Sequence, residues 1–202
     1  MTPEVPVASL TASHLELALS VAQKDFVART SVQHLSPQSR MRSMIANYND
    51  AGLDLSYDLE FYALMAESFE RSVGRRLTPE GQGAEWLYDH SPAVVLAHNT
   101  DADPRFIYAN RAAQACFEYS WDEFITLPSR LSAEAPDRAE RDRLLNTVAA
   151  NGFIADYRGL RIAKSGRRFY IENAIVWDLV DRIGCRRGQA ATFVSWKDVQ
   201  AD

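Results

Sequence analysis

The stretch AVVLAHNTDADPRFIYANRAAQACF, Ala93 to Phe117, decides the architecture of this chain. Its apolar opening, Ala93–Asn99, reads as a strand, and Asp101, Asp103 and Pro104 supply turn chemistry. Arg105–Ala109 reads as the returning strand. Asn110 then starts a helical turn over Arg111–Phe117, because its side chain can accept an N–H two or three residues on. Reading onward, Ser120-Trp121-Asp122-Glu123 has the spacing of a capping box and opens a short helix that ends before Pro128. A charged helix is expected over Asp137–Ala150, stopped by Asn151-Gly152. Three strands finish the chain: Phe153–Lys164, a return strand after the turn at Ser165-Gly166, and Gln189–Trp196. In the return strand Phe169, Ile171, Asn173, Ile175, Trp177 and Leu179 alternate with their neighbours, which assigns them to one face.

Upstream, the pattern is helical. Leu15, Leu19, Ala22 and Phe26 recur at helical spacing, and Ser36-Pro37 starts a second helix carrying Met41, Met44, Ile45 and Tyr48. A third, from about Ser56 to Arg76, presents Leu59, Tyr62, Leu64, Met65, Phe69 and Val73. Thr78-Pro79-Glu80 restarts the chain into a short connector helix with Trp86, Leu87 and Tyr88. The expected organisation is a helical extension over 1–76, serving as a dimerisation segment, and a second domain over 77–202.

Composition narrows the function classes. Of 202 residues, 47% are hydrophobic and 24% charged, enough to bury a core without disulfides. The formal net charge of -5 argues against a nucleic-acid-binding surface. No apolar run approaches the roughly 20 residues that span a bilayer, so no membrane contact is expected. Cys116 and Cys185 lack CxxC spacing and no leader-like segment precedes them, which points to a cytoplasmic setting.

From about residue 61 to 197 the chain resembles the MEKHLA family, a PAS-like domain. The matching blocks are LAHN (Leu96–Asn99), DPRFIYANRAAQ (Asp103–Gln114) and SWDEFITLPSRLSAE (Ser120–Glu134). Glu140-Arg141, DYRGLRIAKSGRRF (Asp156–Phe169), VWDL (Val176–Leu179) and GQAATF (Gly188–Phe193) add to them. The resemblance implies an α+β fold: a PAS-like five-stranded antiparallel sheet with helices on one face, here with an N-terminal all-helical extension. It implies sensing or protein interaction, with no settled ligand and no reaction.

A cavity between sheet and helices is therefore expected, lined by Val94, Leu96, Ile107, Phe117 and Phe124. Leu144, Ile171, Ile175 and Phe193 complete it, with Asn173 as its polar contact. An unpaired amide there would cost roughly 1–3 kcal/mol, so Asn173 either bonds inside the fold or reads a ligand. Asn110 and Asp103 read as a cap and a turn former. His98 has no second metal ligand near it, and the helix Asp137–Ala150 has no histidine, so haem ligation is unsupported. LOV-type flavin photoreceptors place a thiol just ahead of the long helix. Leu127–Ser132 has none, and Cys116 reads as a small buried hydrophobe.

Arg158, Arg161, Arg167, Arg168, Arg182, Arg186 and Arg187 make the last hairpins basic, either as a solvated ion-paired face or as a surface for anions. No nucleophile elbow, phosphate loop or HExxH is present, so no catalysis is expected. An acyl- or phosphate-handling enzyme would be revived by Arg158 and Arg161 in a deep pocket beside a serine. The reading is a non-catalytic sensory or regulatory module that binds a small ligand or a protein partner and responds through its helices or a homodimer. The alternative is a ligand-free adaptor with a fully packed core.

Overall fold

The computed structural model describes residues 53–133, 147–148 and 151–199. The chain divides into the units Met1–Met44 and Ile45–Asp202, and every described residue belongs to the second. The expected helices before residue 53, and most of the one expected at 137–150 with its Leu144, lie outside the described residues.

Asp58 opens helix α1, Leu59–Val73, by accepting the amide of Phe61 at 2.6 Å; Gly74, at φ 77°, ends it. Helix α2 follows at Ala84–Asp89, then strands β1, Val94–His98, and β2, Phe106–Ala109. Asn110 caps α3, Arg111–Phe117, and Ser120 and Glu123 form the expected box at α4, Trp121–Phe124. After a 3-10 turn at Ser129–Ser132 come β3, Phe153–Ile162, β4, Arg168–Val180, β5, Arg186–Phe193, and β6, Ser195–Asp198.

The sheet is antiparallel throughout, in the order β2-β1-β5-β4-β3, with β6 also paired to β4. It has six strands rather than five because the last expected strand breaks in two. β5 pairs with Ile175–Val180 and β6 with Phe169–Glu172 of the same β4 edge. The break falls at exposed Val194, beside Asn173, whose φ of 51° takes β4 out of the extended conformation.

Each face of the sheet has its own core. On the inner face, α3 and α4 cover Val94, Leu96, Phe169, Ile171, Val176 and Phe193. The outer face is covered as well, by α1 and α2, over Val95, Ala97, Ile175, Trp177 and Leu179. Cross-strand pairing sets Tyr108, Ala97, Ala190 and Trp177 in one row on this face. Three strand spacings put the two large rings about 14 Å apart, with two alanines between them. That trough admits a helix of roughly 10–12 Å diameter. α1 crosses it with Phe61 at 5.7 Å from the Tyr108 ring and Phe69 at 4.9 Å from Trp177. Its buried stripe is accordingly Phe61, Met65, Ser68 and Phe69, while Leu59, expected on that stripe, is 73% exposed. The helix assigned by sequence to the extension thus packs on the sheet.

Two bulges redirect residues that alternation had placed together. Tyr108 pairs with Ala97 and Phe106 with His98, leaving Ile107 as an extra residue on β2. Ile107 then packs with the outer core, not with the inner-face residues it was expected to join. On β4, Gly159↔Ile171 is followed by Tyr157↔Ala174, so Glu172 and Asn173 oppose the single residue Arg158. Before this bulge Phe169 and Ile171 face inward; after it Ala174 and Val176 do. Ile175 moves to the outer face and Asn173 is exposed. Asn tolerates the left-handed conformation better than most residues, which is why the extra residue sits there.

Candidate functional site

A cavity of about 150 Å³ lies on the inner face, between β1, β3, β4, β5 and the 3-10 turn. Of the residues expected to line one, Leu96, Phe117, Ile171 and Phe193 do. Val94 and Phe124 belong to the same buried core without being among the residues that line it. Asn173, Ile107 and Ile175 are turned away from it by the bulges.

Sequence reasoning missed most of the polar wall. His98, Gln189, Tyr157 and Arg161 line the cavity together with Ser129 and Ser132. Tyr157, Gly159 and Arg161 alternate along β3, a pattern legible in DYRGLR, but the charged composition of that run had suggested a solvated face. The turn Ser129–Ser132 reaches the strand because Ala133 bridges to Arg161. Ser132 donates its hydroxyl proton to the Ser129 carbonyl at 2.8 Å, which engages it in the turn rather than with a base.

His98 is held at the end of β1. Its Nδ1 is 2.8 Å from the Asn99 carbonyl, so this nitrogen carries the proton. Burial pushes the imidazole below its ordinary value, and the bond to Asn99 opposes that. Gly188 lies across from it on β5; a Cβ there would collide with the His98 carbonyl oxygen, so only glycine lets these strands meet. Gln189 donates to Asp178 at 3.2 Å, and Arg186 donates to the same carboxylate at 2.8 Å.

The remaining sequence candidates have structural posts. Asn110, fully buried, accepts from the amides of Val95 and Ala113 at 3.0 Å each and donates to the carbonyls of Leu87 and Ala93. Asp103 takes Arg130 at 3.0 Å. Cys116 is buried in the inner core, and burial pushes its thiol up to about 12, against the pull of Arg167. A thiol so rarely ionised is a poor nucleophile. Among the described residues no group of three His, Cys, Asp or Glu is placed to hold a metal, and no helix is long and apolar enough to cross a membrane.

The arginines separate into two kinds. Arg167 pairs with Glu118 at 2.9 Å and Asp198 at 2.6 Å, Arg186 with Asp178, Arg187 with Asp181, and Arg182 with Glu67. Arg168 also has a partner. Arg158 stacks 3.7 Å from the Tyr170 ring centre on the strand's exposed side, away from the cavity. Lys164 pairs with Glu123. Arg161 alone in this set turns to the cavity wall.

A sheet of this order, with short helices bordering a small open cavity on one face and a flanking helix on the other, defines a PAS-type module. The MEKHLA domain model matches residues 59–198, and the chain belongs to the MEKHLA family. No curated protein matches it. Among solved structures it is similar to the PAS domain of a Colwellia psychrerythraea protein, at 14% identity and a TM-score of 0.44, covering 55% of this chain and 90% of that one. It is also similar to a variant of Vivid, at 16% identity and a TM-score of 0.46, covering 69% of this chain and all of that one.

Proposed function

We propose that this chain is a sensory or regulatory module in which a small molecule in the inner cavity alters the seating of α1. The observation that carries the reading is the arrangement of β4. Ile171 and Val176 belong to the cavity wall, while the next residue, Trp177, meets Phe69 of α1. At the strand's end Ser68 of α1 donates to the Val180 carbonyl at 2.9 Å and accepts its amide at 3.0 Å, and Arg71 donates to the same carbonyl. A strand displaced from one side therefore loads the helix on the other. Binding shifts the population of two helix positions by its differential affinity for them.

The cytoplasmic setting is part of the proposal, supported by two free thiols, buried Cys116 and exposed Cys185. So is a homodimer. Since the main apolar stripe of α1 is used on its own sheet, what this helix and the residues just before it still offer such a contact is the exposed pair Tyr57 and Leu59. Sedimentation of Leu59→Asp should show a fall in mass; an unchanged mass removes α1 from the interface.

Native mass spectrometry of the purified full chain, followed by hydrogen exchange at the α1 amides, tests the receptor reading. A retained small molecule, and faster or slower α1 exchange on its release, is expected. A bare protein whose α1 amides exchange identically in wild type and in the cavity-filling Ala191→Leu would make the ligand-free adaptor the right reading.

A further inference from the structure

We infer that the cavity takes a small monocarboxylic acid with a compact apolar body, its carboxylate held by Arg161 and Tyr157. This rests on the receptor reading and adds the chemical class of the ligand.

The size comes first. A protein cavity of about 150 Å³ with Leu, Ile and Phe walls has room for one benzene-sized molecule. Here Phe106, Phe117, Ile171, Val176 and Phe193 supply walls of that kind around about 150 Å³. The polar end comes from β3. Arg161 is half-buried and has no carboxylate partner among the described residues. One of its N–H groups donates to the Leu160 carbonyl at 2.8 Å, and its guanidinium lies 5.5 Å from the Tyr157 ring centre. The charge is thus held in place by packing and, among the described residues, left without an opposite charge, unlike Arg167, Arg182, Arg186 and Arg187.

Gly159 lets the two donors lie close together over the strand. A Cβ on it would stand 2.6 Å from the Tyr157 hydroxyl oxygen and 2.8 Å from Arg161 Nη1. The Tyr157 hydroxyl and the Arg161 guanidinium therefore fold over the bare glycine from either side, close enough to each other to share one carboxylate at the cavity wall that both line. Gly159 pairs with Ile171 at the edge of the bulge, and its missing side chain leaves room for both donors above the strand. A guanidinium fork and a phenol suit a planar carboxylate, and the serine hydroxyls of the adjoining turn line the same cavity.

Benzoate and its neutral near-isostere benzamide, titrated calorimetrically into the full chain, test this. Charge-assisted bonding at a partly buried site should favour benzoate by about tenfold or more. Arg161→Gln should erase that preference while leaving benzamide within about twofold, and Gly159→Ala should do the same by displacing both donors. If Arg161→Gln does not fold, Gly159→Ala decides. Equal binding of the two probes overturns the acid assignment and leaves the receptor reading standing. A benzoate preference that survives both substitutions overturns the role of Arg161. Competition by inorganic phosphate would reveal a general anion site and sink the requirement for an apolar body. Failure of both probes to bind overturns the inference, and the receptor reading is then judged separately by native mass spectrometry.

Discussion

On the outer face of the sheet, Tyr108, Trp177, Phe61 and Phe69 are each at most 2% exposed and interlock ring to ring across a floor of two alanines. On the inner face, residues of similar size leave a cavity of about 150 Å³ with a polar wall. The same strands build both, so the contrast comes from what covers them. One α-helix of 15 residues fills the outer trough, whereas among the described residues the inner face is met by helices of seven and four residues, a 3-10 turn and the helical Val148. A long helix matches a row of side chains along its whole length; short segments meet a curved surface at separate points. The outer face is packed, and the inner face leaves a cavity.

Breaking the outer seating should have the largest effect. Trp177→Ala removes a fully buried ring that abuts Phe69, and should cost about 3–5 kcal/mol by denaturant unfolding. The α1 amides should lose their exchange protection before those of β4 and β5. A loss below about 1 kcal/mol would mean that α1 is not anchored there.

Adjacent alanines on β5 sharpen the contrast. Ala190 borders the cavity through the strand but is 1% exposed and packs in the floor under α1, whereas Ala191 packs on the inner core and lines the cavity. Ala190→Leu overfills a packed layer and should destabilise by about 1–3 kcal/mol. Ala191→Leu has the cavity to grow into and should be neutral or slightly stabilising. Equal penalties in thermal unfolding would erase the distinction between the faces.

The bulge at Asn173 is what assigns β4 residues to each face. A β-branched residue at φ 51° is strained, so Asn173→Val should cost about 1–2 kcal/mol while Asn173→Gly stays within a few tenths. Identical stabilities of the two variants would show that β4 can straighten without loss.

Much of this architecture is written locally. The caps at Asn110 and Ser120, the turn at Ser165-Gly166 and the order of strands and helices follow from residues a few positions apart. They were legible for that reason. The candidate site was legible only in part, because facing depends on register. From Phe169 to Leu179 the sequence alternates without a break, and nothing in it marks Asn173 as a residue inserted against Arg158. One extra residue exchanges every later side chain between faces, which carried Ile175 outward. Ile107 was lost to the same effect on β2. Arg161 reads as one of the hairpin arginines rather than as part of the cavity for another reason: charge in a hairpin is usually solvated, and the bridge from Ala133 is what roofs β3 there.

The smallest expected effect concerns pH and separates the faces once more, since His98 lines the inner cavity. Burial depresses its folded-state value below the ordinary 6.5. The unfolded chain therefore takes up this proton first as pH falls. The stability contributed by neutral His98 is complete above about 6.5 and is lost as pH drops from there through the folded value. Glu118 and Glu123, held down to about 2 chiefly by bonds to Ser165 and Lys164 respectively, act in a lower window. Their contribution is present above about 4.5 and goes as pH falls through 2. Comparing Tm at about pH 7.5 and 5.5 should show a decline in wild type that His98→Asn reduces, since asparagine keeps a donor for the Asn99 carbonyl without the titration. The fall below about pH 4.5 should persist in both. An undiminished slope in the variant would mean that the ring is solvated, and with it the polar end of the cavity.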